Sequence, residues 1–174
     1  MTPAFVVSPY SAEWPDLFRD IREELLGVFS PLAVAIEHIG STSVPGLAAK
    51  PVIDVLLGAQ SLRDIESRIG PLGERGYAYV SKYEREIPMR RYFVKPPGAS
   101  LRVHLHGVEI GSPIWREHLV FRDALRGDPD LRAQYQTLKL RLAEEFADDK
   151  SAYTAAKGPF IRAVLAATDE NSRA

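Results

Sequence analysis

The sequence predicts an α+β protein: a mixed, largely antiparallel sheet of about five strands, with an N-terminal helix before it and a C-terminal helical segment after it. Three observations predict this. Hydrophobic periodicity runs in the order helix, strand, strand, helix, three strands, then helices to the end. Only two helices interrupt the strands, whereas a doubly wound parallel sheet needs regular alternation. The 174 residues, 45% hydrophobic and 26% charged, suit one domain over residues 1–174 with a core of its own.

The first helix is read in PYSAEWPDLFRDIREELLGVF, where Trp14, Leu17, Phe18, Ile21, Leu25 and Val28 recur at helical spacing and Ser11 is the expected N-cap. LAVAIEHIG and PVIDVLLG read as strands, the second rich in β-branched residues and closed by Gly58. SLRDIESRIGPLGERG has the period of a helix at Leu62, Ile65 and Ile69, with Pro71 and Gly73 expected to end it. YAYVSKY, RRYFVKP and LRVHLHGVEI are three further strands, joined by EREIP and PPGAS as antiparallel hairpins. Beyond Gly111 two apolar stripes mark helices, one through Leu131, Tyr135, Leu138, Leu142 and Phe146, the other through Phe160, Ile161, Val164 and Leu165. The closing DENSRA is expected to fray.

Composition narrows the function classes. With no cysteine, disulfides, thiolate metal sites and cysteine nucleophiles are excluded. A net charge of −1 gives no general attraction to nucleic acid or anionic membranes. No apolar run approaches the roughly 20 residues of a membrane span, and MTPAFVVSPYSAEW lacks the pattern of a signal peptide, so a cytoplasmic protein is expected.

Chemistry concentrates between Ile39 and Leu57, IGSTSVPGLAAKPVIDVLL. Gly40 lets backbone approach a ligand closely, Ser41, Thr42 and Ser43 line up three hydroxyls, and Lys50 adds a point charge; together they read as a phosphate-binding turn or as a capped strand connection. It is not a Walker loop, since Pro51 follows Lys50. Asp54 sits inside the apolar VIDVLL, where a carboxylate costs several kcal/mol of desolvation unless it is paired, hydrogen-bonded or bound to metal. In LRVHLHGVE, strand alternation puts Arg102, His104 and His106 on one face, either two ligands for one metal ion or the solvated side of an edge strand. Lys82, Arg85, Arg90, Arg91 and Lys95 make KYEREIPMRRYFVK locally basic, suited to an anionic ligand or to an exposed hairpin. His38 and His118 read as structural or surface histidines.

Together HIGSTSVPGLAAKPVIDVLL, RYFVK, VHLHGVE and WREHLVFRDALR resemble the bacterial GrpB family over roughly residues 6 to 166. The resemblance implies the nucleotidyltransferase superfamily, with its polymerase-β-like fold, and a family found alone or fused to dephospho-CoA kinase. Carried over residue by residue, Ile39, Gly40 and Ser41 match the superfamily's turn and Asp54 its first carboxylate, but Leu56 stands where the second is expected. The third would fall on LRVHLHGVE, which offers His104 and His106, with Glu109 near its end. The implied centre is therefore Asp54, His104 and His106 with a divalent metal, Mg, Mn or a softer transition metal, because imidazole shifts preference away from Mg²⁺. Gly40, Ser41, Thr42, Ser43, Lys50, Arg91, Lys95 and Arg102 are the implied phosphate or nucleotide contacts. Three readings follow: a metal-dependent nucleotidyltransferase with an incomplete carboxylate motif, a non-catalytic module binding a nucleotide, coenzyme A-related or other phosphorylated small molecule, and a hydrolase using the Asp-His-His set.

Overall fold

The structure, a computed structural model, describes residues 6–98 and 100–174; the first five residues of the N-terminal reading, and Ala99 in the PPGAS turn, lie outside the described residues. Helix α1, Trp14–Phe29, opens with Pro15 in its first turn, where a missing N–H costs no hydrogen bond. Its expected cap is corrected: Glu13 occupies the N-cap, and Ser11 instead accepts a hydrogen bond from the Glu13 amide. Strand β1, Ala35–Ile39, passes through a 3-10 turn at Ser41–Ser43 and a connecting segment into β2, Val52–Ala59.

The expected single helix after β2 is two short ones, α2 (Leu62–Glu66) and α3 (Ile69–Glu74). The Ser61 hydroxyl caps α2 by accepting from the Asp64 amide. Pro71 does not end a helix; it sits in the first turn of α3, so the break falls before it, at Ser67 and Arg68. Of the strand expected in YAYVSKY only β3, Ala78–Tyr79, forms, because Ser81–Tyr83 coils into a 3-10 turn. Strands β4 (Arg90–Lys95) and β5 (Arg102–Glu109) follow, then α4 (Pro113–Gly127), α5 (Pro129–Glu145), α6 (Lys150–Ala156) and α7 (Gly158–Arg173). Helix α7 takes in most of DENSRA, where fraying was expected, with the Ser172 hydroxyl donating to the Thr168 carbonyl.

The five strands lie in the order β1-β2-β5-β4-β3. The central pair, β2 and β5, is parallel and the other pairs are antiparallel, which is the mixed sheet the sequence predicts. Alternation sorts the central strands into two faces. Ile53, Val55 and Leu57 of β2, with Val103 and Leu105 of β5 and Phe93 of β4, pack against Leu25 and Phe29 of α1, Ile65 of α2 and Leu72 of α3. On the opposite face α4 covers one end, where Trp115 packs on Ile39, Leu56 and Val108. A third cluster joins Val44 and Leu47, between β1 and β2, to Leu125 of α4 and Tyr135 of α5. The C-terminal helices are thereby held over the Gly-Ser turn.

His38 braces that turn from the core side. Its ring stacks on Phe18 at 4.7 Å, and its Nε2 lies 2.9 Å from the Thr42 hydroxyl, which donates to the Val52 carbonyl. The single hydroxyl hydrogen is thus committed, so His38 is the donor to Thr42. Burial, then the charge of Arg126, lowers the His38 pKa from 6.5 to about 4, against a smaller pull upward from Asp54. The neutral ring therefore stabilises the fold above pH 6.5, and that contribution is lost as pH falls toward 4, because the unfolded chain binds the proton first. In urea titrations, stability should fall across that window by on the order of 3 kcal/mol from this residue. His38→Gln, which still donates to Thr42, should flatten the fall; an unchanged slope would remove His38 from the account.

Candidate functional site

Register creates the site. In the parallel pair, Asp54 lies opposite His104 and Leu56 opposite His106, so carboxylate and imidazoles share the face turned away from the main core. His104 Nδ1 and His106 Nε2 each lie 3.4 Å from the same Asp54 oxygen, Oδ1. Arg90 approaches His106 Nδ1 at 3.5 Å; an arginine only donates, so Nε2 is the hydrogen-bearing nitrogen that faces Asp54. Burial pushes the Asp54 carboxyl up, but hydrogen bonds from His104 and His106 and the charge of their rings outweigh it and hold the carboxyl well below the usual carboxylate range. The site carries an ionised aspartate.

Gly40 completes the pocket for that carboxylate. Its φ of 72° and ψ of −178° belong to a region nearly restricted to glycine. A Cβ there would fall 2.5 Å from Asp54 Oδ2. Among the described residues no group of three or more His, Asp or Glu side chains is placed so that it could hold a metal ion. Asp54, His104 and His106 are nevertheless donor types that divalent ions take, and both imidazole nitrogens stand 3.4 Å from Asp54 Oδ1. A paired-metal site built on a second carboxylate does not fit, because Leu56 is fully buried with Ile39, Val108 and Trp115.

Asp54 opens into a cleft of about 710 Å³ between the sheet and the C-terminal helices. Ser41, Thr42, Lys50, Asp54, Arg102 and His104 line it, together with Lys139, Lys150, Tyr153 and Lys157. Asp54 is the one carboxylate among the described lining residues, against four lysines and one arginine. The positive charge is crowded. Burial, then the charges of Lys157 and Lys150, lowers the Lys50 pKa to about 8. Lys139 is held at about 7 by burial, then by Lys157 and Lys50. Lys50 and Lys157 both lie against the ring of Tyr153, at 4.1 and 4.6 Å from its centroid.

Several expected contacts fall elsewhere. Arg91 points to the opposite sheet face and pairs with Glu66 at 2.8 Å; Lys95 pairs with Glu24 at 2.9 Å. The cause is strand parity: in β4 the residues facing the histidines are Arg90, Tyr92 and Val94. Ser43 turns its hydroxyl to the Gly40 carbonyl and lines a separate, smaller pocket with His38 and Arg126. Glu109 is one residue out of phase with the histidines and sits opposite Ala59. Sequence reading placed Arg90 only in a basic segment, took His118 for a structural or surface residue and missed Tyr92, three residues whose rings or charge pack against His106, and it missed Lys139, Lys150 and Lys157. The spacing of Lys150, Tyr153, Thr154 and Lys157 follows one helical face and was the available signal for part of that set.

A family model described as GrpB protein matches residues 4–167. The UPF0157 protein YqkA of Bacillus subtilis is 38% identical over 154 residues, 88% of this chain and 44% of that protein, so the chain spans less than half of that relative's length. The glutamate-rich protein GrpB of Alkalihalophilus pseudofirmus is 33% identical over 164 residues, 92% of this chain and 93% of that one. The crystal structure of the conserved protein GrpB from Enterococcus faecalis matches with a TM-score of 0.86 and 30% identity, over 97% of this chain and 100% of that chain. The Cid1 poly(U) polymerase in its Mg 3'-dATP-bound form matches with a TM-score of 0.58 and 13% identity, over 85% of this chain and 49% of that one, a likeness of fold alone. The architecture is nucleotidyltransferase-like.

Gly40→Ala is expected to cost about 3 kcal/mol or more in urea denaturation, combining a forbidden backbone region with a clash against the Asp54 carboxylate. Gly46→Ala is the control: its φ is also positive, at 82°, but a Cβ there would meet nothing closer than Arg132 Nε at 3.9 Å, and about 1 kcal/mol is expected. Equal losses in the two variants would mean that Gly40 does not shape the carboxylate pocket.

Proposed function

The chain belongs to the GrpB family, and from that premise we propose that it binds a nucleotide or another phosphorylated small molecule in the cleft beside Asp54. One observation carries the proposal: an ionised aspartate clasped by two histidines sits in the same cleft as Lys50, Lys139, Lys150, Lys157 and Arg102. Such a cluster leaves positive charge crowded in a partly desolvated space, and a phosphate chain relieves it with charge-assisted hydrogen bonds. The Ser41 hydroxyl and the lysines form the anion side; Asp54, His104 and His106 form the reactive side.

Asp54, His104 and His106 are the residues that would hold a divalent ion, which would supply charge neutralisation at phosphoryl oxygens. Two imidazoles and one carboxylate favour Mn²⁺ or a softer ion over Mg²⁺. Buried Leu56 disfavours the paired-ion arrangement of a conventional nucleotidyl transfer. Binding with a single-ion Asp-His-His centre is thus the reading the geometry supports best. Arg90 approaches His106 Nδ1 at 3.5 Å; for Nε2 to take an ion, the ring hydrogen would have to move to Nδ1 and Arg90 would give up that approach.

Calorimetry with ATP, ADP and inorganic tripolyphosphate, each with and without Mn²⁺, tests this. Binding of at least one is expected, strengthened by Mn²⁺. Lys157→Gln should weaken it about tenfold, the worth of one charge-assisted hydrogen bond. Asp54→Asn and His104→Ala should abolish the Mn²⁺ effect while circular dichroism stays native. No binding of any of the three would sink the proposal, and a Mn²⁺ effect that survives both substitutions would remove the centre from it.

A further inference from the structure

We propose that Ser41 and Lys139 form a serine–lysine dyad, in which the Ser41 hydroxyl attacks the phosphorus of a phosphate ester or anhydride held in the cleft and the Lys139 amine takes its proton. The inference rests on the proposed phosphate-ligand reading of that cleft and adds an activity to it.

Lys139 Nζ lies 2.9 Å from Ser41 Oγ and donates to the Ala48 carbonyl. It is 3% exposed, and among the described residues no carboxylate pairs with it. An unpaired ammonium is costly in such a place. In its charged form Lys139 donates to Ser41 Oγ and to the Ala48 carbonyl, 5.2 Å from the centroid of the Tyr135 ring; in its neutral form it keeps an N–H on Ala48 and turns its lone pair to the Ser41 hydroxyl hydrogen. The charged groups facing Lys139 are Lys157 and Lys50, both positive, and with burial they lower its pKa to about 7, so much of it is neutral near physiological pH. Tyr135, one turn earlier on α5, lies against the amine, its ring centroid 5.2 Å from Lys139 Nζ. Ser41 is not sealed away, since it lines the cleft with Lys50 and Lys157. A nucleophile with a neutral base within hydrogen-bond reach is the central pair of an activated serine.

In the step, the Ser41 Oγ–P bond forms as the P–O bond to the leaving group breaks. The serine proton passes to Lys139 Nζ and then to the departing oxygen, giving phosphoserine and an alcohol or a shortened phosphate chain. Water reverses the sequence with Lys139 again as base, releasing phosphate; the net reaction is hydrolysis.

The test is labelling with a fluorophosphonate, whose P–F bond is displaced by activated serines, read by peptide mass. One label per chain on Ser41 is expected, at a rate that rises through about pH 7 as Lys139 loses its proton. Ser41→Ala should take no label, Lys139→Gln should label about a hundredfold more slowly, and tripolyphosphate should protect. No label, a label elsewhere, or a wild-type rate flat across pH 6–8 overturns the dyad; the wild-type pH profile decides the matter even if Lys139→Gln fails to fold. ATP binding measured on the same sample separates the two proposals. Binding without labelling overturns the dyad and spares the binding site, whereas labelling of Ser41 without binding supports the dyad and removes the nucleotide reading.

Discussion

The parallel, in-register pairing of β2 with β5 is the constraint on which the site depends. It sets Asp54 beside His104 and brings His106 within reach of the same oxygen. A slip of one residue would place Val103 or Leu105 next to Asp54 and turn both imidazoles into the main core. The apolar residues of the two strands forbid it, because Ile53, Val55 and Leu57 and their β5 partners Val103 and Leu105 must stay under α1 and α2. Hydrophobic burial on one face therefore fixes polar chemistry on the other.

Leu56 shows how that polar face is divided. Two positions along β2 from Asp54 the same face is dry: Leu56, Ile39 and Val108 lie beneath Trp115 of α4. A carboxylate there would lose its hydration among apolar side chains, at a cost of several kcal/mol. On β2 the chain keeps one acidic residue, at the open end of the face, and satisfies it with imidazoles, while Glu37 of β1, opposite Leu56, pairs with Arg122 of α4. His118, on the face of α4 that meets His106, loses its affinity for protons through burial first and the neighbouring ring second, to a pKa of about 4. The covered end thus adds a neutral ring rather than another charge to the centre.

Much of this was legible in the sequence, for definite reasons. Strand parity in LRVHLHGVE puts Arg102, His104 and His106 on one side, and VIDVLL announces an aspartate in buried surroundings, so the centre could be assembled once the strands were neighbours. The same rule applied to β4 separates Arg90 from Arg91, but charge density alone does not say which parity faces the site, and Arg91 belongs to the other face. Pro71 read as a terminator because proline interrupts helix interiors, yet it is accepted in a first turn, and local sequence does not say where that turn begins. Lys139 was least legible of all. It lies between Leu138 and Leu140 in a helix whose polar residues look solvated, and lysine is seldom buried; only the tertiary approach of α5 to the Gly-Ser turn removes it from water.

That approach also sets the electrostatics of the cleft. Val44 and Leu47 anchor the connection between β1 and β2 to Leu125 and Tyr135, and with it they draw Lys139 and Lys50 toward Lys157. The lysines then repel one another in a space with little water, and each holds its neighbour's proton less tightly. An anion reverses that balance: it raises the lysine pKa values and favours their charged forms. Phosphate binding at the proposed site would therefore take up protons near neutral pH, with Lys139 the largest contributor because its pKa of about 7 lies nearest. The same proton uptake would withdraw the free base from Ser41. Under the proposed dyad, tight binding of a phosphate chain and activation of the serine compete for one lysine, so a productive ligand must sit against Lys50 and Lys157 while leaving Lys139 neutral.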